Sequence, residues 1–133
     1  MVDLPAAPEP VGTVRWSPDG RYLCAVTFAD PRRLWLFDVR TREWRRQSAT
    51  HVEYPTWTRD SRYIHYDTEG SAAGELRRFR VADGVDEKIV DVYEIPVERA
   101  WGWSGVAPDG SPLILRFPAP QLYQIDLFNR VAR

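Results

Sequence analysis

Short apolar segments rich in aromatic and β-branched residues recur along the chain, separated by clusters of Pro, Gly, Asp and Arg. Runs of about four to eight such residues between turn-forming residues are typical of β-strands. The 11 prolines and 8 glycines are spread along the chain, so long helices are not expected. The pattern predicts strands at residues 12–17, 21–28, 33–39, 43–47, 53–58, 62–68, 75–81, 87–92, 101–107, 113–117 and 122–127.

Two sequence motifs each recur three times, and the second follows the first at a similar distance in every copy. The first reads WSPDGRYL at 16–23, WTRDSRYI at 57–64 and VAPDGSPL at 106–113. The second reads LWLFDV at 34–39, LRRFRV at 76–81 and LYQIDL at 122–127. Strand-like repeats with a period of about 40–45 residues are typical of β-propellers. The sequence therefore predicts an all-β fold of three four-stranded antiparallel propeller blades.

The first motif centres on a tight turn that contains Asp19, Asp60 or Asp109. Aspartate in such a turn satisfies nearby backbone amides, and glycine beside it tolerates a positive φ. The three carboxylates would lie in separate blades, too far apart to share a metal ion or acid–base chemistry. We interpret them as structural turn residues.

The repeats divide the chain into an N-terminal extension at 1–10 and blades at 11–50, 51–98 and 99–133. Only residues 129–133 remain for the outer strand of the third blade, which is therefore predicted to be short or missing. The extension contains three prolines and is a poor central strand, because proline cannot donate to a β-ladder. Pairing at an outer edge through residues 2–4 is the expected alternative.

The motif WSPDGR followed by LWLFDV resembles the repeat of TolB-like propellers. The stretch GWSGVAPDGSPL at 102–113, followed by LYQIDL, resembles the C-terminal blades of some bacterial winged-helix regulators and serine/threonine kinases. The resemblance covers about residues 11–128 and departs at Arg59 and Ser61, where the family has Pro and Gly. It implies half of a six-bladed propeller and a sensory or scaffolding module.

Charge and hydropathy narrow the classes of partner. The formal net charge is -1 and the pI about 6.1, so the chain lacks the basic footprint of nucleic-acid binding. No stretch approaches the ~18–20 apolar residues of a membrane span, and residues 1–10 do not read as an export signal. We expect a soluble protein with no membrane partner, and favour the cytoplasm as its compartment.

The sequence offers no catalytic or metal-binding set. His51 and His65 are the only histidines, and Cys24 is the only cysteine, so a zinc site has too few ligands. Cys24 lies in an apolar run that predicts a small buried thiol. A Gly-x-Ser-x-Gly elbow and a glycine-rich phosphate loop are both absent from the sequence. We therefore predict no enzyme activity, no metal and no cofactor.

The connections between blades are the candidate ligand site, since they cluster around the channel mouth of a propeller. The predicted binding residues are His51, Glu53, Tyr54, Glu98, Arg99 and Trp101. This mixture of aromatic and charged groups suits recognition of a peptide, a protein or a small polar ligand. The alternative is ordinary packing with solvated charges. Three arginine pairs are expected at solvated strand edges: 32–33, 45–46 and 77–78.

Three blades pose an assembly problem, because propeller rings close with about four to eight. The end faces of an isolated half-ring would expose apolar residues such as Trp16, Leu23, Ile114 and Leu115. A homodimer that closes a six-bladed ring would bury both faces. A fragment that needs its missing half and a flattened three-blade monomer are the alternatives. For function, the alternatives to a binding module are a hydrolase with its site formed on dimerisation and a trimmed or engineered fragment without its own ligand.

Overall fold

The computed structural model describes residues 3–48, 50–68, 74–91, 100–117 and 121–124, with side chains for all of these except 100–104, 114–117 and 121–124. These residues form strands and connections, with no helix among them. The strands are β1 (Val11–Trp16), β2 (Tyr22–Thr27), β3 (Leu34–Asp38), β4 (Glu43–Arg46), β5 (Glu53–Trp57), β6 (Tyr63–Asp67), β7 (Glu75–Arg80), β8 (Asp86–Asp91), β9 (Ala100–Val106), β10 (Pro112–Phe117) and β11 (Gln121–Gln124).

Consecutive strands pair antiparallel into three sheets. Sheet 1 has the order β1-β2-β3-β4, sheet 2 the order β5-β6-β7-β8, and sheet 3 the described order β9-β10-β11. The all-β prediction is confirmed, and each predicted strand that the structure describes coincides with an observed one. The predicted outer strand at 129–133 lies outside the described residues.

Sheets 1 and 2 pack against each other around an apolar core. Side chains alternate between the two faces of a strand, so every second residue of β2 and β3 contributes to this interface. The Tyr22 and Trp57 rings stack across it with centroids 6.4 Å apart, and Trp57 Nε1 donates to the Arg15 carbonyl oxygen at 3.2 Å. The buried core residues are Tyr22, Cys24, Val26, Leu34, Leu36, Val52, Trp57, Ile64, Tyr66, Phe79 and Val81.

The repeated turns are held by local hydrogen bonds. Asp19 Oδ1 accepts from the Ser17 hydroxyl at 2.6 Å and from the Arg21 amide at 3.0 Å. Asp60 makes the corresponding bonds with the Thr58 hydroxyl and the Arg62 amide, and Asp109 accepts from the Ser111 amide. The Ser17 hydroxyl lowers the pKa of Asp19, with the Arg21 amide adding to the effect. These carboxylates are engaged in closing turns.

Ser61 takes the position of the turn glycines Gly20 and Gly110. Its φ is 59°, in the left-handed region that the two glycines also occupy, and that region costs an L-residue about 1–2 kcal/mol. The Ser61 hydroxyl accepts a hydrogen bond from the Asp19 amide of sheet 1 at 3.0 Å. The departure from glycine therefore supplies a link between the two sheets.

Residues 3–10 cross the face of sheet 1 that points away from sheet 2; we call this segment the strap. It contains no strand, so the edge pairing expected through residues 2–4 is not found at Asp3 and Leu4. Two side chains and one backbone amide instead donate hydrogen bonds to carbonyl oxygens of the strap. The anchoring hydrogen bonds run from Arg42 Nη2 to the Asp3 carbonyl (3.2 Å), from Trp44 Nε1 to the Pro5 carbonyl (3.0 Å) and from the Phe28 amide to the Pro10 carbonyl (3.1 Å).

The exposure of the end face of sheet 1 differs from the expectation. Leu23 was expected to be exposed there, but it is only 3% exposed, and Phe37 on the same face is fully buried. Trp16 is 55% exposed and Val14 45%, as a partly bare face would require. The expectation of a bare face is therefore wrong at Leu23 and Phe37; the strap is anchored on this side of sheet 1 at Trp44, whose ring packs against Phe37. The side chains of Ile114 and Leu115 lie outside the described residues.

The two faces of sheet 2 differ in chemistry. Ile64 and Phe79 pair across the face towards sheet 1, whereas His65 and Arg78 pair across the face towards sheet 3. The Arg78 guanidinium lies 4.6 Å from the centroid of the Tyr63 ring and forms a salt bridge with Glu87. A cleft of about 580 Å³ separates this polar face from the turn at 108–110.

The arginine pair at 77–78 is packed, not solvated as expected. Arg77 Nε donates to Asp86 Oδ1 at 3.1 Å, and its Nη1 donates to Glu75 Oε2 at 2.6 Å. The Tyr66 hydroxyl donates to the other oxygen of Asp86. The strand-edge interpretation fails here because β7 lies inside sheet 2, between β6 and β8, where partners are available on both sides.

Candidate functional site

A cleft opens between the innermost strands of sheets 1 and 2, at the end where β5 begins. Its volume is about 190 Å³, and we call it the Arg32 cleft. The connection after β2 and the connection before β5 meet here, because both lie at the same end of their sheets. The lining residues are Thr13, Arg15, Val26, Arg32, Glu53, Tyr54, Pro55 and Thr56.

Both inner strands are irregular beside the cleft. The β1–β2 register shifts between Val11 and Thr13, and the β5–β6 register shifts between Glu53 and Thr56. Such bulges are common next to binding sites, where they redirect side chains. Within the second irregularity Tyr54 has φ 43° and is 65% exposed. The strand thus presents an aromatic ring at the cleft instead of burying it in the interface.

His51, Glu53 and Arg32 form one connected group at the cleft wall. The Arg32 amide donates to His51 Nδ1 at 3.2 Å, and His51 Nε2 lies 3.0 Å from Glu53 Oε1. The second oxygen of Glu53 accepts from Arg32 Nη1. Since Nδ1 accepts an amide proton, neutral His51 carries its own proton on Nε2 and donates it to Glu53. Both ring nitrogens are therefore occupied.

Arg15 is the second arginine that lines the cleft. It lies on β1, is exposed, and forms no salt bridge with any carboxylate in the described part of the chain. Glu53, the acidic group of the cleft, is already paired with Arg32. The cleft therefore presents one uncompensated guanidinium, which can bind a carboxylate or phosphate bidentately, beside an exposed tyrosine ring.

The predicted site residues have mixed placements. The structure brings His51, Glu53 and Tyr54 together at one cleft, with His51 and Glu53 largely buried as a structural pair and Tyr54 facing outwards. Trp101 lies in β9 opposite Arg116, and its side chain is outside the described residues. Glu98 and Arg99 also lie outside the described residues.

Sequence reasoning missed Arg15 and Arg32. Arg32 was assigned to a solvated edge, although the connection after β2 ends at the same side of the sheet as the connection before β5. That topological fact was available from the predicted blade order. Arg15 carried no such signal, because its neighbours on β1 do not show whether a partner carboxylate faces it.

A second cleft of about 570 Å³ lies at the opposite, turn end of sheets 1 and 2. Three of its carboxylates, Asp19, Asp38 and Asp60, accept hydrogen bonds that close turns, and Glu43 also lines it. Asp38 accepts from the Arg40 amide at 2.8 Å and from Arg21 Nη2 at 3.5 Å. Although burial raises the pKa of Asp38, these hydrogen bonds and the Arg21 charge outweigh that effect and hold the pKa below its usual value.

Cys24 is buried in the apolar core between sheets 1 and 2. Burial raises the pKa of the Cys24 thiol to about 12, so the thiol is protonated at neutral pH. The described residues contain no group of three or more His, Cys, Asp or Glu side chains that is placed to hold a metal ion. Nor do they include a helix with the length and hydropathy of a membrane span.

Comparison with known proteins identifies the fold. The structure is similar to TolB from Acinetobacter baumannii, with a TM-score of 0.69 and 15% identity over 95% of this chain and 32% of that one. Putative TolB from Agrobacterium tumefaciens gives a TM-score of 0.60 and 15% identity over 92% and 50%. The β-propeller domain of the Trilobed protease from Pyrococcus furiosus gives 0.61 and 15% over 86% and 38%. The fold is that of part of a β-propeller.

These likenesses have limits in sequence and in length. No family model and no curated protein matches the chain in sequence. The chain spans about a third to a half of the length of these three structures. At this level of identity the comparison establishes the TolB-like propeller fold and leaves activity to be argued from the site.

Proposed function

We propose that the chain is a non-enzymatic propeller module that binds a peptide or protein through the Arg32 cleft and self-associates to close a ring. The binding proposal rests on two groups that line the cleft. One is the Arg15 guanidinium, which has no acidic partner among the described residues, and the other is the outward-facing ring of Tyr54. Such a pair favours an extended segment that ends in, or carries, a carboxylate. A sensory or scaffolding role beside a winged-helix regulator or kinase belongs to the same proposal.

The state of His51 supports binding over catalysis. A general base needs a free nitrogen lone pair directed at its substrate. The Nδ1 lone pair of His51 already accepts the Arg32 amide, and its Nε2 is engaged by Glu53. We therefore assign His51 to positioning the Arg32 loop. A hydrolase-substrate screen tests the enzymatic alternative, for which turnover above buffer would be the decisive result.

The exposed part of sheet 1 supports self-association with a second copy. Sheet 1 packs on sheet 2 and sheet 2 on sheet 3 in one direction, with β1, β5 and β9 as successive inner strands. Continuing this order would place sheet 3 of a second copy on the free face of sheet 1, where Trp16 and Val14 are exposed. Two copies related by a two-fold axis would then bury both end faces.

Calorimetric titration with short peptides tests the binding proposal. Peptides with a free carboxyl terminus should bind at least tenfold more tightly than the same peptides amidated, and Arg15→Gln should remove the difference. Arg46→Gln, an exposed arginine on β4, is the matched control and should bind like the parent. Equal affinity of both peptide forms for the parent chain would contradict the assignment of Arg15.

Light scattering over a dilution series tests self-association. A stable mass near twice 15.4 kDa supports the closed dimer. A mass near 15.4 kDa at every concentration would refute it.

A further inference from the structure

The strap contacts the same part of sheet 1 that a neighbouring blade would contact. Leu23, Ala25 and Phe37 form this face, and each is almost completely buried although no other described sheet lies on that side. The Phe37 ring packs against the Trp44 ring at an interplanar angle of 42°, with ring centroids 5.0 Å apart, and Trp44 is the residue that donates to the Pro5 carbonyl. The strap therefore lies on the side of sheet 1 on which a neighbouring blade would pack.

The cover that the strap provides is incomplete in two ways. Trp35 lies on the same face, and its Nε1 is buried without a hydrogen-bond acceptor in the described part of the chain. A buried donor that lacks an acceptor costs about 1–3 kcal/mol. Trp16 and Val14 remain exposed beside it. A wider occupant could cover Trp16 and Val14 and offer an acceptor to Trp35 Nε1. It would bury more apolar surface than the strap does and satisfy the buried donor.

The strap is also suited to reversible docking. Its three prolines restrict φ and disfavour helix, so the segment remains extended whether or not it contacts sheet 1. Its anchors are side-chain donors to backbone carbonyls and one backbone bond at Phe28, with no continuous β-ladder. Each such bond contributes about 0.5–1.5 kcal/mol net.

We propose that the strap and sheet 3 of a second copy compete for the free face of sheet 1, so that the strap limits self-association. This inference rests on the proposed ring closure. In a closed two-fold dimer both copies must release their straps. The cost of strap release therefore enters once for each copy, and it raises the dimer dissociation constant by the square of the factor for one strap.

Sedimentation velocity on variants of the 133-residue chain tests the competition. Arg42→Ala combined with Trp44→Phe removes two anchors while it keeps an aromatic ring against Phe37. The dimer dissociation constant should fall at least tenfold, and a synthetic peptide of residues 1–10 at millimolar concentration should raise it again. Arg40→Ala is the matched control, because Arg40 lies in the same turn and its side chain is exposed. The two single variants should shift the constant in the same direction by a smaller factor.

The outcomes separate this inference from the proposed function. If the parent chain dimerises and the double variant dimerises equally or more weakly, the strap does not compete and the inference is wrong. If the parent and every variant stay monomeric at the highest concentration, self-association itself fails. Circular dichroism of each variant establishes that the sheets are intact, and the single variants carry the test if the double variant does not fold.

Discussion

The two faces of sheet 2 show how one blade can serve two unlike interfaces. Towards sheet 1 it presents Ile64, Tyr66 and Phe79, all buried in a continuous apolar core. Towards sheet 3 it presents His65 and Arg78, with a cleft of about 580 Å³ beyond them. Because the strands alternate, neighbouring residues of β6 belong to opposite interfaces. The first interface is stabilised by burial of apolar area, whereas the second depends on satisfying polar groups.

Truncation of the apolar face should have the largest effect. Ile64→Ala removes three buried methyl or methylene groups and leaves a cavity in the core, so it should lower the free energy of unfolding by about 2–5 kcal/mol. Urea denaturation measures this change. Val85→Ala, at an exposed position, should change it by less than about 0.5 kcal/mol. Equal losses for the two variants would contradict the assigned core.

The polar face should make stability depend on pH. Burial lowers the pKa of His65 to about 4, with the positive charge of Arg78 adding to the effect. The folded pKa is below the usual 6.5, so between pH 6.5 and 4 the unfolded chain binds a proton that the folded chain does not. The stability is therefore fully present above pH 6.5 and falls by on the order of 3 kcal/mol as the pH approaches 4.

His65→Gln tests that dependence, because glutamine keeps a polar side chain and does not titrate. Its unfolding free energy should be nearly flat over the same range. Hydrogen bonds hold the pKa values of the turn carboxylates Asp19, Asp38 and Asp60 below their usual range, so these groups titrate in more acidic solution. A slope that persists unchanged in His65→Gln would assign the effect to another group.

The link at Ser61 should have a smaller effect at the turn end of the apolar interface. Ser61→Ala keeps the left-handed backbone and loses the hydrogen bond from the Asp19 amide, which should cost about 1 kcal/mol. Ser61→Gly loses the same bond but relieves the backbone strain, so its stability should be close to that of the parent. Urea midpoints measure both variants. If Ser61→Ala is as stable as the parent, the bond contributes nothing.

Alkylation of Cys24 measures how tightly the apolar interface between sheets 1 and 2 is closed, and it needs no substitution that would change stability. Its raised pKa and complete burial should slow alkylation by iodoacetamide at pH 8 at least a hundredfold relative to the chain in urea. Mass spectrometry of timed samples follows the reaction. Labelling of the native chain at the unfolded rate would show that sheets 1 and 2 separate readily.

The sequence predicted those features that local chemistry determines. The turns at Asp19, Asp60 and Asp109 and the alternating strands follow from residue type and spacing, and the strands lie where the pattern placed them. The role of Ser61 was not predictable, because its bond joins residues 42 positions apart. The burial of Leu23 was mispredicted for a similar reason, because it depends on packing between distant parts of the chain that the strand pattern does not show.

The candidate site was predictable only in part. His51, Glu53 and Tyr54 lie beside the Arg32 cleft, where two connections meet at one end of the sheets, and their binding role stays a prediction. Their individual states depend on partners from another loop: Arg32 supplies both the amide that fixes His51 and the guanidinium that pairs with Glu53. Such three-dimensional pairing is not encoded in local spacing.

Each sheet is assembled from strands that follow one another along the chain. Within the described residues, every β-ladder therefore closes within one repeat, and the contacts between repeats are made by side chains and a few isolated hydrogen bonds. Short-range pairing of this kind lowers the loop-closure entropy that must be overcome during folding. It also means that a whole repeat can be duplicated or lost by recombination without severing a ladder, which makes the repeat the unit in which a gene of this kind lengthens or shortens.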